Sequence, residues 1–222
     1  GKKILLTDMF QSINADKVRN IYNSDAYDYV DISQVNGNAP GEDHWSRVKG
    51  MIDAAREVDK LLHMTKMYGA DTAPGNWEGN TDNVIGEMWR GLIAGVACAR
   101  FHRPPWGLGL TAEAKSCIAA VRKIESKVKF WDVEPRQDLL KNRETDEAYL
   151  AAKPGHAYIL YFTPGGSGSV GLDLGDHANK VFDIRWVDIG SGEWRATSTV
   201  SGGSTVTINR PGSGHWAAAI VH

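Results

Sequence analysis

The spacing of apolar residues changes once along the chain, near FWDVEPRQDLL (130–140), and this change limits the fold more than any motif does. Before it, short apolar runs alternate with segments whose apolar residues recur every three or four positions. KKILLTDMF (2–10), YDYVDISQVN (27–36), a run within LLHMTKMYG (61–69) and GVACARFHR (95–103) read as strands. NADKVRNIYNS (14–24), HWSRVKGMIDAAREVDKLL (44–62), TDNVIGEMWRGLIAG (81–95) and TAEAKSCIAAVRKIESKVKF (111–130) read as helices. Their predicted inner stripes are Val48, Met51, Ile52, Ala55, Val58 and Leu62, then Val84, Ile85, Met88 and Leu92, then Ala114, Cys117, Ile118, Val121, Ile124 and Val128, with Thr111 capping the last helix. Four strand-helix units predict parallel strands joined by helical crossovers.

From about Glu147 onward the pattern is AYLAAK, HAYILYFTP, SVGLDL, KVFDIRWVDI, EWRATSTV, STVTINRP and HWAAAIV, punctuated by Gly, Pro, Asn and Ser. Closely spaced short strands of this kind predict a small antiparallel β-sandwich. The expected division is therefore an α/β part over residues 1–140 and an all-β part over 141–222.

Charge and motifs narrow the chemistry. The 222 residues carry 25 basic and 27 acidic side chains, for a net charge of -2, with no basic block. Nucleic acid and an anionic membrane surface are not expected partners. No apolar run approaches the roughly 20 residues that span a bilayer. Cys98 and Cys117 lie on apolar faces and are expected as buried thiols. GSGSVG (166–171) fits G-x-G-x-x-G, but the following LDLGDH continues as strand and turn, so a hairpin loop is expected and no dinucleotide cofactor. His44, His63 and His102 lack metal-ligand spacing and no G-x-S-x-G elbow occurs. Neither a metal nor another cofactor is expected.

Parallel α/β folds gather functional groups at the carboxyl ends of their strands. Here those ends carry Asp8 with Gln11, Gln34 with Asn36, Lys66 with Tyr68 and Asp71, and Arg100 with His102 and Arg103. Trp77 and Trp106 lie just beyond them. An indole offers an apolar face and a donor edge, which suits a sugar's C–H face and hydroxyl rim. Structural roles stay open: Lys66 could pair with Asp31 or Asp71, Arg100 could brace a loop through its planar fork, Asp8 could cap the next helix, and Trp106 could pack under Pro104 and Pro105.

The stretch GVACARFHRPPWGLGLTAEAKSCIAAVRKIESKVKFWDVEPRQDLL resembles the end of the barrel in bacterial (β/α)8 glycoside hydrolases, most specifically at ARFHRP and FWDVEPR. EAYLAAKPGHAYILYFTPGGSGSVGLDL with FDIRWVDIGSGEW resembles the small β-sandwich that follows such barrels, often labelled a collagen-binding domain. The resemblance implies that the four units are the fifth to eighth of a barrel, half of a fold that takes about 250 residues. It implies a carbohydrate partner, glycosidic hydrolysis and a secreted or periplasmic setting. Such enzymes generally use two carboxyl groups. The acid/base of related barrels follows the fourth strand, which this chain lacks, and no glutamate stands in TKMYGAD, where the nucleophile is usual. Asp71 and Glu78 are the nearby carboxylates. Arg100, His102 and Arg103 would hold hydroxyls or an acid group, and Trp77 and Trp106 would stack on a sugar. Alternatives are a non-catalytic carbohydrate-binding or scaffold protein and an interaction module. A half-barrel leaves strand edges unpaired, so self-association, as a two-fold dimer, is expected.

Overall fold

The computed structural model of the protein describes residues 4–7, 20, 22–32, 41–68, 81–104 and 107–222. It divides into two compact units, Gly1–Gly109 and Leu110–His222.

In the first unit, β1 (Tyr29–Asp31), β2 (Leu61–Met67) and β3 (Cys98–Phe101) form a parallel sheet in the order β1-β2-β3. Residues 4–7 run beside β1: the Asp28 N–H donates to the Leu6 carbonyl at 2.8 Å, and the Thr7 hydroxyl donates to the Tyr29 carbonyl at 2.7 Å. Residues 4–7 are not strand, although they lie within the strand expected over 2–10; the rest of that expected strand, and most of the helix expected over 14–24, lie outside the described residues. Helix α1 (Gly41–Arg56) precedes β2 and α2 (Thr81–Ala94) precedes β3, so the alternation read from the sequence is present here.

Helix α1 buries Trp45, Val48, Ile52 and Ala55, the spacing of a single helical face. It stops short of the expected residue 62. Asp59 takes a left-handed backbone (φ 54°) and the Lys60 N–H closes onto the Ala55 carbonyl at 2.9 Å. Leu61 is thereby released to begin β2. Helix α2 is buried on nearly every side, including Glu87 and Arg90. His44 on α1 is also buried. Burial, then Arg90 and Arg47, hold its imidazole well below the usual histidine range, and neither ring nitrogen has a hydrogen-bond partner among the described residues.

The second unit opens with α3 (Ala112–Glu125), capped by the Thr111 hydroxyl, which accepts from the Ala114 N–H at 3.4 Å. The strands that follow are β4 (Glu134–Pro135), β5 (Leu140–Lys141), β6 (Ala148–Lys153), β7 (Ala157–Phe162), β8 (Ser169–Asp173), β9 (Val181–Asp188), β10 (Glu193–Ser201), β11 (Thr205–Asn209) and β12 (Trp216–Val221). They form two antiparallel sheets, one ordered β10-β9-β12-β7-β6-β4 and the other β11-β8-β5. Alternate residues of the larger sheet enter a core shared by both: Leu150, Leu160, Phe162, Ile184, Trp186 and Ile220 meet Val170, Leu172 and Ile208. The two-residue strands β4 and β5 are too short to have carried a sequence pattern.

Helix α3 belongs with these sheets. It packs on β9, β10 and β12 through Ala114, Cys117, Ala120 and Ile124. The buried face is narrower than the expected stripe, since Ile118 is 38% exposed. Small residues line it because the β9–β10 turn comes close: a Cβ at Gly192 would fall 2.7 Å from the Ser116 carbonyl. Lys123 fastens the pair, its ammonium 2.8 Å from the Gly192 carbonyl and 2.9 Å from the Glu193 carboxylate. The packing boundary thus falls at Gly109/Leu110, ahead of the expected boundary at 140, because α3 finds its apolar partner among the strands that follow it. Cys98, half-buried in the first unit, and Cys117, buried in the second, are not joined in a disulfide.

Candidate functional site

The three parallel strands of the first unit present a polar face. Tyr29 and Asp31 on β1, His63 and Thr65 on β2, and Arg100 on β3 are linked across it. The Tyr29 and His63 rings lie 4.2 Å apart between centroids. The Thr65 hydroxyl donates to the Asp31 carboxylate, and Arg100 Nε donates to the Thr65 carbonyl at 3.0 Å. Asp31 is nearly buried. Burial pushes the Cys98 thiol up; Asp31 adds to this and Arg100 opposes it. Burial likewise lowers the His63 imidazole, against the pull of Asp31.

Above this face, at the carboxyl ends of β2 and β3, five of the expected site residues come together. Lys66 Nζ lies 5.5 Å from the centroid of the Tyr68 ring, and Tyr68 lies 4.6 Å from the His102 ring. Burial, then Lys66, Arg103 and Arg100 lower the His102 imidazole, which places all three cations within its field. The loop is held by its backbone. The His102 N–H donates to the Met67 carbonyl at 3.0 Å, and the His102 carbonyl accepts from the Gly109 N–H at 2.7 Å. Cations, a phenol and a neutral imidazole can bind hydroxyls, a carboxylate or a sugar face. Gln34, Asn36, Asp71, Trp77, Glu78 and Trp106 lie outside the described residues.

Of Asp31, His63 and Thr65, sequence reasoning named Asp31 only as a possible partner of Lys66 and His63 only as lacking metal-ligand spacing. Their signal was present: His63 and Thr65 alternate with Leu62 and Met64, the period-two spacing of a sheet with one polar face. Residues 166–168 of GSGSVG form a loop while 169–171 already belong to β8. Because the segment carries the chain from β7 in the larger sheet to β8 in the smaller one, it is not the hairpin expected, and its loop wraps the buried Glu147 carboxylate. Ser167 Oγ donates to that carboxylate at 2.8 Å and the Gly168 N–H at 2.6 Å. No three His, Cys, Asp or Glu side chains group as metal ligands among the described residues.

No family model matches the chain, and no curated protein matches it. Solved structures do. A structure described as "Glycoside hydrolase" has a TM-score of 0.60 at 12% identity, with 81% of this chain covering 46% of that one. A glycoside hydrolase family 5 protein from Bacteroides vulgatus ATCC 8482 has a TM-score of 0.58 at 13% identity, covering 81% of this chain and 45% of that one. A GH30 endoxylanase from Clostridium papyrosolvens C71 has a TM-score of 0.54 at 14% identity, covering 97% and 55%. The protein therefore shares a mixed α/β fold with these structures. It spans about half the length of these structures.

Proposed function

We propose that this chain corresponds to the second half of a (β/α)8-barrel glycoside hydrolase-like protein with its trailing β-sandwich, and that the rim of its parallel sheet binds carbohydrate. The observation that carries this reading is the convergence of Lys66, Tyr68, Arg100, His102 and Arg103 at adjacent strand ends. In this reading Gln34 and Asn36 add hydroxyl contacts, and Trp77 and Trp106 stack on sugar faces. Asp71 and Glu78 supply the carboxyl chemistry. Hydrolysis requires one carboxyl group to protonate the leaving oxygen and another to attack or to activate water.

The test is release of reducing ends from a panel of plant and bacterial polysaccharides. Asp71→Asn combined with Glu78→Gln is expected to lower it by about 100-fold or more. Undiminished release by the double variant would remove both carboxylates from the mechanism. The second reading is glycan binding without turnover, and the predominance of cations and rings among the described rim residues favours it. Calorimetric binding of a polysaccharide that the unmodified chain leaves uncleaved would establish it.

A further inference from the structure

At one end of the paired sheets in the second unit, the β6–β7 turn, the 175–180 segment and residue 222 converge. The His222 N–H donates to the His156 carbonyl at 3.0 Å, and His222 Nδ1 lies 3.0 Å from the Val181 carbonyl. Lys180 Nζ donates to the Gly155 carbonyl at 2.6 Å. The His177 ring sits directly on the turn, since a Cβ at Gly155 would fall 2.8 Å from its Cε1. Phe182 lies beneath two of the imidazoles, with centroids 6.3 Å from His177 and 5.7 Å from His222. Lys153 stands at the end of β6, exposed like His156 and His222.

Three imidazoles and two ammonium groups thus share one end of the fold. Lys180 leads in holding the His156 imidazole below its usual value, followed by burial, Lys153, His222 and His177, with no carboxylate opposing them. The neighbouring acids have other engagements or positions. Asp173 lies 3.6 Å from Lys141 and accepts from the Gly175 N–H at 3.0 Å. Asp176 is exposed on the 175–177 turn, and Asp183 stands in register with Val221 and Thr199 along β9. Tyr158 faces the turn as an acceptor from the Gly155 N–H at 2.7 Å, and Arg136, which acts on Tyr158, is paired with Asp138. The imidazoles do not group as metal ligands. Like charges held together repel, and an anion laid across them would relieve that repulsion.

We propose that this end of the second unit is a binding surface for an anionic polysaccharide, with Lys153, His156, His177, Lys180 and His222 facing its carboxylate or sulfate groups. The rings here, Phe182 and Tyr158, are fully buried and offer no platform for nucleobases. The choice of a polysaccharide over a nucleic acid also rests on the carbohydrate reading above. Because imidazoles gain protons as pH falls through their range, binding strengthens in acid.

The test is affinity electrophoresis of the full chain through gels containing polygalacturonate, dextran sulfate or uncharged dextran, at about pH 7.5 and about pH 5.5. The expected result is retardation by the acidic polymers, stronger at the lower pH, with none by dextran. Retardation by only one of them also supports the surface and assigns the group it reads. Lys153→Gln with His156→Gln, both at exposed positions, should abolish the retardation. Lys115→Gln with Lys127→Gln, both exposed on or just after α3 and outside either site, should retain it, so loss of this surface is told apart from a general loss of positive charge, while the reducing-end assay above reports on the rim separately. Undiminished retardation of the first double variant, its loss in the second, or tighter binding of single-stranded DNA than of either polysaccharide would overturn the proposal.

Discussion

Glu147 is a fully buried carboxylate that the chain surrounds with donors. It accepts from the N–H groups of Glu144 at 2.9 Å, Gly168 at 2.6 Å and Ser169 at 3.3 Å, and from Ser167 Oγ at 2.8 Å. Burial alone would raise its pKa, but these donors outweigh it and hold the carboxyl below its usual 4.5. The folded state thus favours the ionised form more than the unfolded chain does. The stability gained is present above about pH 4.5 and is lost as pH falls below it. Glu147→Gln is expected to cost about 1–3 kcal/mol at neutral pH in urea unfolding. The gap between the two proteins should narrow as the titration goes acid. An unchanged midpoint at neutral pH would contradict this account. Nothing in GSGSVG announced a partner over twenty positions upstream; local turn chemistry identified the loop but not what it encloses. Asp31 was similarly obscure. Its significance comes from Thr65 and Arg100 on other strands, and one strand's alternation carries no register with its neighbours.

At the scale of elements, period was a good guide and packing partner was not. The seven strands expected after Glu147 all occur, because alternation along one strand is a local property. Helix α3 was equally visible as a helix from Thr111 and its apolar spacing. Which sheet it would cover was invisible, since an amphipathic stripe states that a face is buried and not against what. The answer lies in the β9–β10 turn. Gly192 has φ +70°, and the Ser116 carbonyl and Ala119 side chain leave no room for a Cβ. Gly192→Ala should therefore cost more than about 1 kcal/mol, combining a disfavoured backbone with a clash. Hydrogen exchange should show faster opening of α3 and the β9–β10 hairpin. Unaltered protection in α3 would mean that the turn does not secure the helix.

For the whole molecule, the described sheet of the first unit ends at strands that have no further neighbour among the described residues, apart from the segment 4–7 beside β1. Ile4 is 79% exposed and Leu61 63%. Unpaired edges and exposed aliphatic groups favour association. Light scattering on a sizing column is therefore expected to give twice the chain mass; a concentration-independent monomer would remove this prediction. The chain spans about half the length of the similar structures. The grip of Lys123 on Gly192 and Glu193 bears on a different matter, the portability of the all-β architecture. A gene fragment opening at residue 140 would discard α3 and strip the cover from β9, β10 and β12. A cassette meant to carry those sheets into another protein has to open at Leu110, with the helix as part of its cargo.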